Sequence, residues 1–122
     1  MTTEAKTLLP NLSLTIMAAQ TVLGWHVIDS PGTWRLEDQD GRLRTERFCE
    51  SMDAAMLLVE ALRTSQTAEW WVELQAFQTH PIWRAALIGD GVTHEFNDDS
   101  LARTVTVVVI LAAGGNPYQE AP

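Results

Sequence analysis

Cysteine is nearly absent from this chain of 122 residues, and that scarcity excludes an internal disulfide. The single thiol, Cys49, has Phe48 and Glu50 as its neighbours, so no cation stands beside it in sequence to stabilise a thiolate. We therefore expect a buried structural thiol rather than a nucleophile. A chain without disulfides is also typical of a reducing compartment.

Cations and long hydrophobic runs are scarce as well. Eight Lys and Arg side chains stand against 16 Asp and Glu, which gives a formal net charge of −8. Each phosphate contact needs a cation, so we expect no direct binding to nucleic acid or to an anionic membrane. The most apolar late segment, Val105 to Ala113, is far shorter than the roughly 20 residues that span a bilayer. The N-terminal residues do not resemble a signal peptide, and we expect a soluble, cytoplasmic protein.

The residue types used in catalysis and metal binding do not occur at the required spacings. His26, His80 and His94 are far apart, whereas a zinc site needs three or four converging ligands. Helix capping explains Asp98 and Asp99 more simply than acid–base chemistry does. The sequence contains no G-x-S-x-G motif and no glycine-rich phosphate loop. We therefore predict that the protein is not an enzyme and holds no metal or cofactor.

Patterning at the start of the chain predicts a helix. Pro10 and Asn11 open it, and Gly24 ends it because glycine tolerates a left-handed cap. Its apolar residues recur at helical spacing; they are Leu12, Ile16, Ala19 and Leu23. Trp25 is expected to pack back on the last turn, and residues 26–33 are predicted as a loop.

A charged hairpin is predicted next. The pair Asp40-Gly41 separates two alternating segments, 33–37 and 42–46, and Asp-Gly is a strong hairpin signal. The alternation divides their side chains into a core set and an outer set. We expect Trp34, Leu36 and Leu43 to face the core and Arg35, Glu37, Arg42 and Arg44 to lie outside. Such a short, charged ribbon suits the edge of a sheet.

A capped helix and a second hairpin follow. Ser51 is the predicted N-cap, and the buried stripe of the helix is Ala55, Leu58, Val59 and Leu62. In the next strand one alternate set should face the core, comprising Trp70, Val72, Leu74 and Ala76. Trp71 and Phe77 then point to the opposite face. The segment 82–88 has apolar residues on both faces, which predicts a central strand covered on both sides.

The last predicted element is a helix, although its valines favour a strand. Leu101, Val105, Val108 and Ala112 fit helical spacing, and Gly114-Gly115 follows them. The fold class is therefore α+β, in the order helix-β-β-helix-β-β-helix, with helices layered on an antiparallel sheet as an α/β/α sandwich. We expect one domain over 12–115, a flexible lead-in over 1–11 and a disordered tail over 116–122.

Three of these segments resemble the phage ABA sandwich domain family. Leu23-Gly24-Trp25 is similar to the Met-Gly-Trp that ends a helix in that family. The stretch 48–62 resembles its Ser/Thr-capped helix, with Met56 where the family often has tryptophan. Trp83 lies in a strand that precedes a helix of small and aliphatic residues, and this helix is unusually rich in valine. The resemblance implies an α/β/α layered fold, a phage or prophage origin and no catalytic residues.

Aromatic residues and arginines supply the candidate binding residues. Five tryptophans occur, and most are expected in the core, but Trp71 and Phe77 are candidates for contact with a partner protein. Four of the eight cations lie on or beside the first hairpin; they are Arg35, Arg42, Arg44 and Arg47. An anionic nucleotide, if one binds, is expected there beside Trp34.

Two functions follow from these observations. The first is a non-enzymatic phage or prophage accessory protein that binds a host or phage protein in the bacterial cytoplasm, for instance to inhibit a host defence system. The second is a module that binds or sequesters a nucleotide. A homodimer would also cover the apolar residues of the second hairpin.

Overall fold

The computed structural model describes residues 7–30, 33–65, 70–77, 82–89 and 91–119. These residues form two three-stranded antiparallel sheets and three helices, so the predicted α+β class is confirmed. The elements are α1 (Asn11–Ala18, continued by a π-helical segment, Ala19–Leu23), β1 (His26–Ser30), β2 (Thr33–Glu37), β3 (Leu43–Arg44), α2 (Met52–Ser65), β4 (Trp70–Ala76), β5 (Trp83–Gly89), β6 (Val92–Asp98) and α3 (Leu101–Ala112).

Helix α3 forms the centre of the core. Every residue from 104 to 110 is buried, because α3 contacts β5 and β6 as well as α1 and α2. The helix begins at a well-formed cap, in which the Ser100 hydroxyl accepts a hydrogen bond from the Arg103 amide at 3.2 Å. Cap and packing together outweigh the strand propensity of the valines. The prediction of a helix here is confirmed.

Helix α1 has the predicted bounds, but its buried residues share only Ala19 with the predicted stripe. Gly24 ends the helical segment with φ of 68°, as predicted for a left-handed cap. The buried residues are Leu14, Thr15, Ala18 and Ala19. Leu12, predicted in the stripe, is 48% exposed, because the helix turns its other face toward α3.

Helix α2 matches its prediction closely. The amide of Ala54 donates to the Ser51 hydroxyl at 3.3 Å, so Ser51 caps the helix. The whole predicted stripe is buried, from Ala55 through Leu58 and Val59 to Leu62. Regular spacing on a single face was therefore sufficient to place this helix.

The first sheet contains a strand that the sequence did not indicate. Residues 26–30, predicted as a loop, form β1 and pair antiparallel with β2, from His26 opposite Glu37 to Ser30 opposite Thr33. This pairing satisfies one backbone edge of β2, and β3 pairs along the other edge. Positions 31 and 32, also in the predicted loop, lie outside the described residues.

Strand β3 is inverted relative to the prediction. Leu43 is 60% exposed, whereas Arg44 is half-buried. The register pairs Arg44 with the buried Leu36, and directly opposed residues lie on the same face. The turn sets this register, because the Asp38 carboxylate accepts the backbone amide of Arg42 at 2.9 Å. The assignment of Leu43 to the core and Arg44 to the outside was therefore wrong.

In the second sheet, β5 is the central strand between β4 and β6. Ala85 and Leu87 are buried against the helices. Leu74 and Ala76, predicted in the core, are exposed, because β4 is an edge strand and α3 packs on β5 and β6. Strand β6 spans seven residues and is an element that the predicted order did not include.

The two ends of the described chain meet. Leu8 and Tyr118 form an antiparallel bridge. The amide of Leu9 donates to the Pro117 carbonyl at 2.9 Å, and the amide of Gln119 donates to the Thr7 carbonyl at 2.7 Å. Within the described residues, none of the helices has both the length and the apolar character needed to cross a membrane.

Candidate binding surfaces

One face of the second sheet points away from α3 and is called the outer face here. Alternate residues of three strands form it: Trp71, Glu73 and Gln75 of β4, Arg84, Ala86 and Ile88 of β5, and Thr93, Glu95 and Asn97 of β6. No described helix covers it, and Trp71 is 53% exposed. The expectation that β5 is covered on both sides was therefore wrong, since helices pack on one side only.

Ion pairing crosses the outer face from strand to strand. Arg84 donates to Glu95 through both Nε and Nη2, and its Nη1 donates to the Gln75 side-chain oxygen at 3.4 Å. Ala86, on the same face, is fully buried beneath its longer neighbours. Glu73 forms no ion pair with any described residue. The outer face thus combines a large exposed aromatic side chain with one uncompensated carboxylate.

More apolar surface is exposed where β4 ends. The Phe77 amide donates to the Ile82 carbonyl at 3.2 Å, which keeps the two residues adjacent across the hairpin. Their exposed fractions are 46% for Phe77 and 37% for Ile82. Leu74 is also exposed, on the opposite face of the same strand. Exposed apolar side chains therefore lie at the two ends of β4, with Glu73 and Gln75 between Trp71 and Phe77.

A small cleft lies where β4 begins. It has a volume of about 300 Å³ between α2 and β4, and Met56, Glu60 and both tryptophans of β4 line it. The buried indole nitrogen of Trp70 finds no acceptor among the described residues. A buried donor without a partner costs stability unless something outside the described chain accepts from it.

The arginines of the first hairpin occupy unequal environments. Arg44 is held on three sides: it pairs with Glu46 at 2.7 Å and with Asp38 at 3.6 Å, and its guanidinium lies 4.8 Å from the ring centroid of Trp25. Arg35 is exposed and forms no ion pair with a side chain that the structure describes. Arg42 is exposed and contributes its backbone amide to the turn.

A cavity of about 610 Å³ lies between the first hairpin and α1, and we call it the hairpin cavity. Its walls come from the first turn of α1, from β2 and β3, and from the segment 45–50. The volume falls within the range of about 300–1,000 Å³ that is usual for small-molecule sites. The cavity is therefore large enough to hold a ligand.

Cys49 lines the hairpin cavity but is not activated there. Burial raises the pKa of this thiol to about 11, and hydrogen bonds from Thr106 and Thr15, together with the Arg103 charge, only partly oppose the effect of burial. A thiol with a raised pKa is almost entirely protonated at neutral pH and is a poor nucleophile. The structure supports the expectation of an inert, buried thiol.

Metal-binding groups do not converge in the part of the chain that the structure describes. No set of three or more His, Cys, Asp or Glu side chains there could hold an ion. The ring centroid of His94 lies 6.0 Å from that of Trp70, so His94 packs against an aromatic side chain. His80 lies outside the described residues.

The predicted binding residues fall into two separate groups. Arg35 and Arg44 line the hairpin cavity together with Arg47, whereas Arg42 does not. The backbone of Trp34 lies in β2, but its side chain lies outside the described part of the structure. Trp71 lies in β4 of the second sheet, and Phe77 directly follows that strand. Sequence analysis missed Leu12 and Leu43, which it placed in the core and which stand exposed at the cavity. No local pattern reveals them, because the cavity depends on how α1 lies against the hairpin.

Comparison with known proteins supports the fold. No family model matches the chain, and no curated protein matches it. The chain is similar in structure to a phage protein from Bacillus cereus ATCC 14579, solved by crystallography at 2.0 Å. The TM-score is 0.66 at 8% sequence identity, over 90% of this chain and 97% of that one. A structural likeness at this low sequence identity shows a shared fold alone.

Proposed function

We propose that this is a non-enzymatic phage or prophage accessory protein that acts by binding another protein through the outer face. The observation that carries the proposal is the exposed indole of Trp71 on a sheet face that no described helix covers. Exposed aromatic side chains are enriched among the residues that dominate protein–protein binding energy. Phe77 and Ile82, which are exposed just beyond the end of β4, add apolar surface that a partner could contact.

The edge position of β4 defines how a partner can contact this surface. Strand β4 pairs with β5 on one side and with no described strand on the other. A free edge of seven residues presents unpaired backbone donors and acceptors, to which a strand of another protein can add. Pro and Lys, which commonly protect such edges, are absent from 70–76. The partner in this proposal combines backbone pairing with contacts to Trp71.

Charge favours a basic partner. The chain carries a net charge of −8, and Glu73, beside Trp71 on the outer face, has no ion-pair partner among the described residues. A cation on the partner strand could pair with Glu73 and also approach the Trp71 ring. Association should then be faster at low salt than at high salt, because electrostatic steering is screened by ions.

The phage assignment is supported by the family resemblance and by the fold shared with the Bacillus cereus phage protein. Within this proposal the partner is a host or phage protein in the bacterial cytoplasm. A component of a host defence system is the partner class to examine first. This choice is an association with other small phage proteins and does not derive from a residue of the outer face.

The test is affinity capture from bacterial lysate at low and high salt with three forms of the chain. Wild type should retain a specific partner, and Trp71→Ser should weaken that binding by roughly 30-fold or more, the effect of losing a hot-spot residue. Leu57→Ser is the matched control, because Leu57 is exposed to a similar degree on α2. Equal capture by all three forms would refute binding through the outer face.

A second candidate function is small-molecule binding in the hairpin cavity. The specific observation is that three of the chain's arginines line one cavity of about 610 Å³. A nucleotide is the ligand that the sequence suggests, with its phosphates on these arginines. This candidate uses the first sheet and is independent of the outer face.

A further inference from the structure

We propose that the hairpin cavity binds a ligand with an apolar body and a single terminal carboxylate, which Arg35 pairs at the mouth. The proposal rests on the second candidate function and narrows its ligand class. It applies to a free alkyl carboxylate and to the apolar C-terminus of a peptide, since both present the same chemistry.

Three of the residues that line the cavity are buried, and two of them, Leu36 and Cys49, are apolar. Leu36 is 1% exposed, Cys49 is 2% exposed and Thr15 is 5% exposed. The thiol of Cys49 is neutral, so it adds no charge to the wall. An alkyl chain or an aliphatic side chain is the ligand part that gains most from such walls.

Two exposed leucines that line the cavity also favour an apolar ligand. Leu12 on α1 and Leu43 on β3 both line the cavity, with exposed fractions of 48% and 60%. Burial of these leucines by a ligand would favour an apolar ligand over a polar one.

Among the described side chains, one arginine at the cavity lacks an ion pair, and we therefore expect the ligand to carry one negative charge. Arg44 is already paired with Asp38 and Glu46 and lies over Trp25. Arg47 contacts Glu50 at 3.5 Å. Arg35 is the arginine at the cavity without an ion pair among the described side chains. A carboxylate can take both parallel N–H donors of that guanidinium.

The acidic side chains at the cavity disfavour a polyphosphate. Glu46 and Glu50 line it together with the three arginines, which leaves a net lining charge of one positive unit, three minus two. A nucleoside diphosphate or triphosphate would bring several negative charges close to both carboxylates. A net lining charge of one positive unit favours a ligand with a single negative charge and disfavours a nucleotide, which carries several.

The experiment measures the dissociation constants of decanoate, decanol and ATP by isothermal titration calorimetry. Decanoate should bind wild type at least tenfold more tightly than decanol does, because only the carboxylate can pair with Arg35. Arg35→Gln should abolish that difference while leaving decanol affinity unchanged. Arg42→Gln is the control, because this arginine belongs to the same hairpin but does not line the cavity. ATP should bind more weakly than decanoate.

A second pair of variants and probes completes the test. Leu43→Ser should weaken decanoate and decanol alike, since this exposed side chain contributes apolar contact to both. An N-acetylated tripeptide ending in leucine, as free acid and as amide, distinguishes the two sources of the carboxylate. Preference for the acid over the amide, at an affinity above that of decanoate, would assign the site to a peptide C-terminus.

The outcomes separate this inference from the functions on which it stands. ATP binding more tightly than decanoate, with loss in Arg35→Gln, would overturn the inference and leave the cavity as a nucleotide site. No binding by any probe would overturn both the inference and the second candidate function. Equal affinity of decanoate and decanol would overturn the role of Arg35. None of these results bears on the outer face.

Discussion

At the scale of single residues, Arg103 shows how polar groups support an apolar core. Its guanidinium donates to Asp98 at 2.6 Å, to Asp99 at 2.9 Å and to the Asn11 side-chain oxygen at 3.3 Å. The hydrogen bond to Asp98 is the main cause of the raised pKa of Arg103. This one side chain therefore joins the start of α3 to the end of β6 and to the start of α1.

Cys49 gives a prediction at the same scale. Its thiol should react slowly with iodoacetamide in the folded protein at pH 8, because burial raises its pKa to about 11 and the thiolate is the reactive form. Unfolding in urea should restore the rate of an ordinary exposed thiol. Alkylation followed by mass spectrometry measures both rates. Equally fast labelling in the absence and presence of urea would contradict the burial of Cys49.

The pH dependence of stability follows from the same shift in pKa. The pKa of this thiol is 9.0 in the unfolded chain and is raised to about 11 in the folded chain. Below pH 9 the thiol is protonated in both states, and its contribution to stability is fully present. As pH rises from there to about 11, the unfolded chain ionises first. The contribution of Cys49 to the free energy of unfolding should therefore fall across this alkaline window.

At the scale of elements, the two faces of the second sheet should respond very differently to mutation. Leu87→Ala, on the inner face, should lower the free energy of unfolding by about 2–5 kcal/mol, because Leu87 is 1% exposed. Trp71→Ser, on the outer face, should lower it by only about 1 kcal/mol, because this side chain is 53% exposed. Urea denaturation followed by circular dichroism measures both. Comparable losses would mean that the outer face is covered in the folded chain.

Elements whose signals are local could be predicted from the sequence. Helix α2 has a capping serine and a regular stripe, and α3 lies between capping residues at 98–100 and Gly114-Gly115. Strand β1 could not be recognised, because Val27 and Ile28 are adjacent and Asp29 and Ser30 favour a turn. Its structure depends on pairing with β2, which no local pattern encodes.

Prediction of the candidate sites was limited in the same way, because the sequence reveals local patterns and not contacts between distant segments. Alternation along β4 correctly placed Trp71 away from the core, since that inference needs only the period of a strand. The arginine cluster was found as a group, but Arg44 was assigned to the wrong face because the turn at Asp38 fixed a different register. The hairpin cavity requires α1, the hairpin and the segment 45–50 to be brought together.

At the scale of the whole molecule, charge and the outer face together determine how copies behave. Each chain carries a net charge of −8, so two copies repel each other. Antiparallel pairing of β4 with a second β4 about its central residue would also place Glu73 opposite Glu73, which is destabilising. In the proposed function the outer face therefore binds a different, basic protein rather than a second copy.

The molar mass in solution, measured by light scattering after size exclusion, tests this assignment most directly. We expect a monomer of 13.6 kDa for wild type and for Trp71→Ser alike, with Trp71 left free for another protein. A wild-type dimer of about twice that mass, reduced to a monomer by Trp71→Ser, would contradict it. The outer face would then join two copies of this chain.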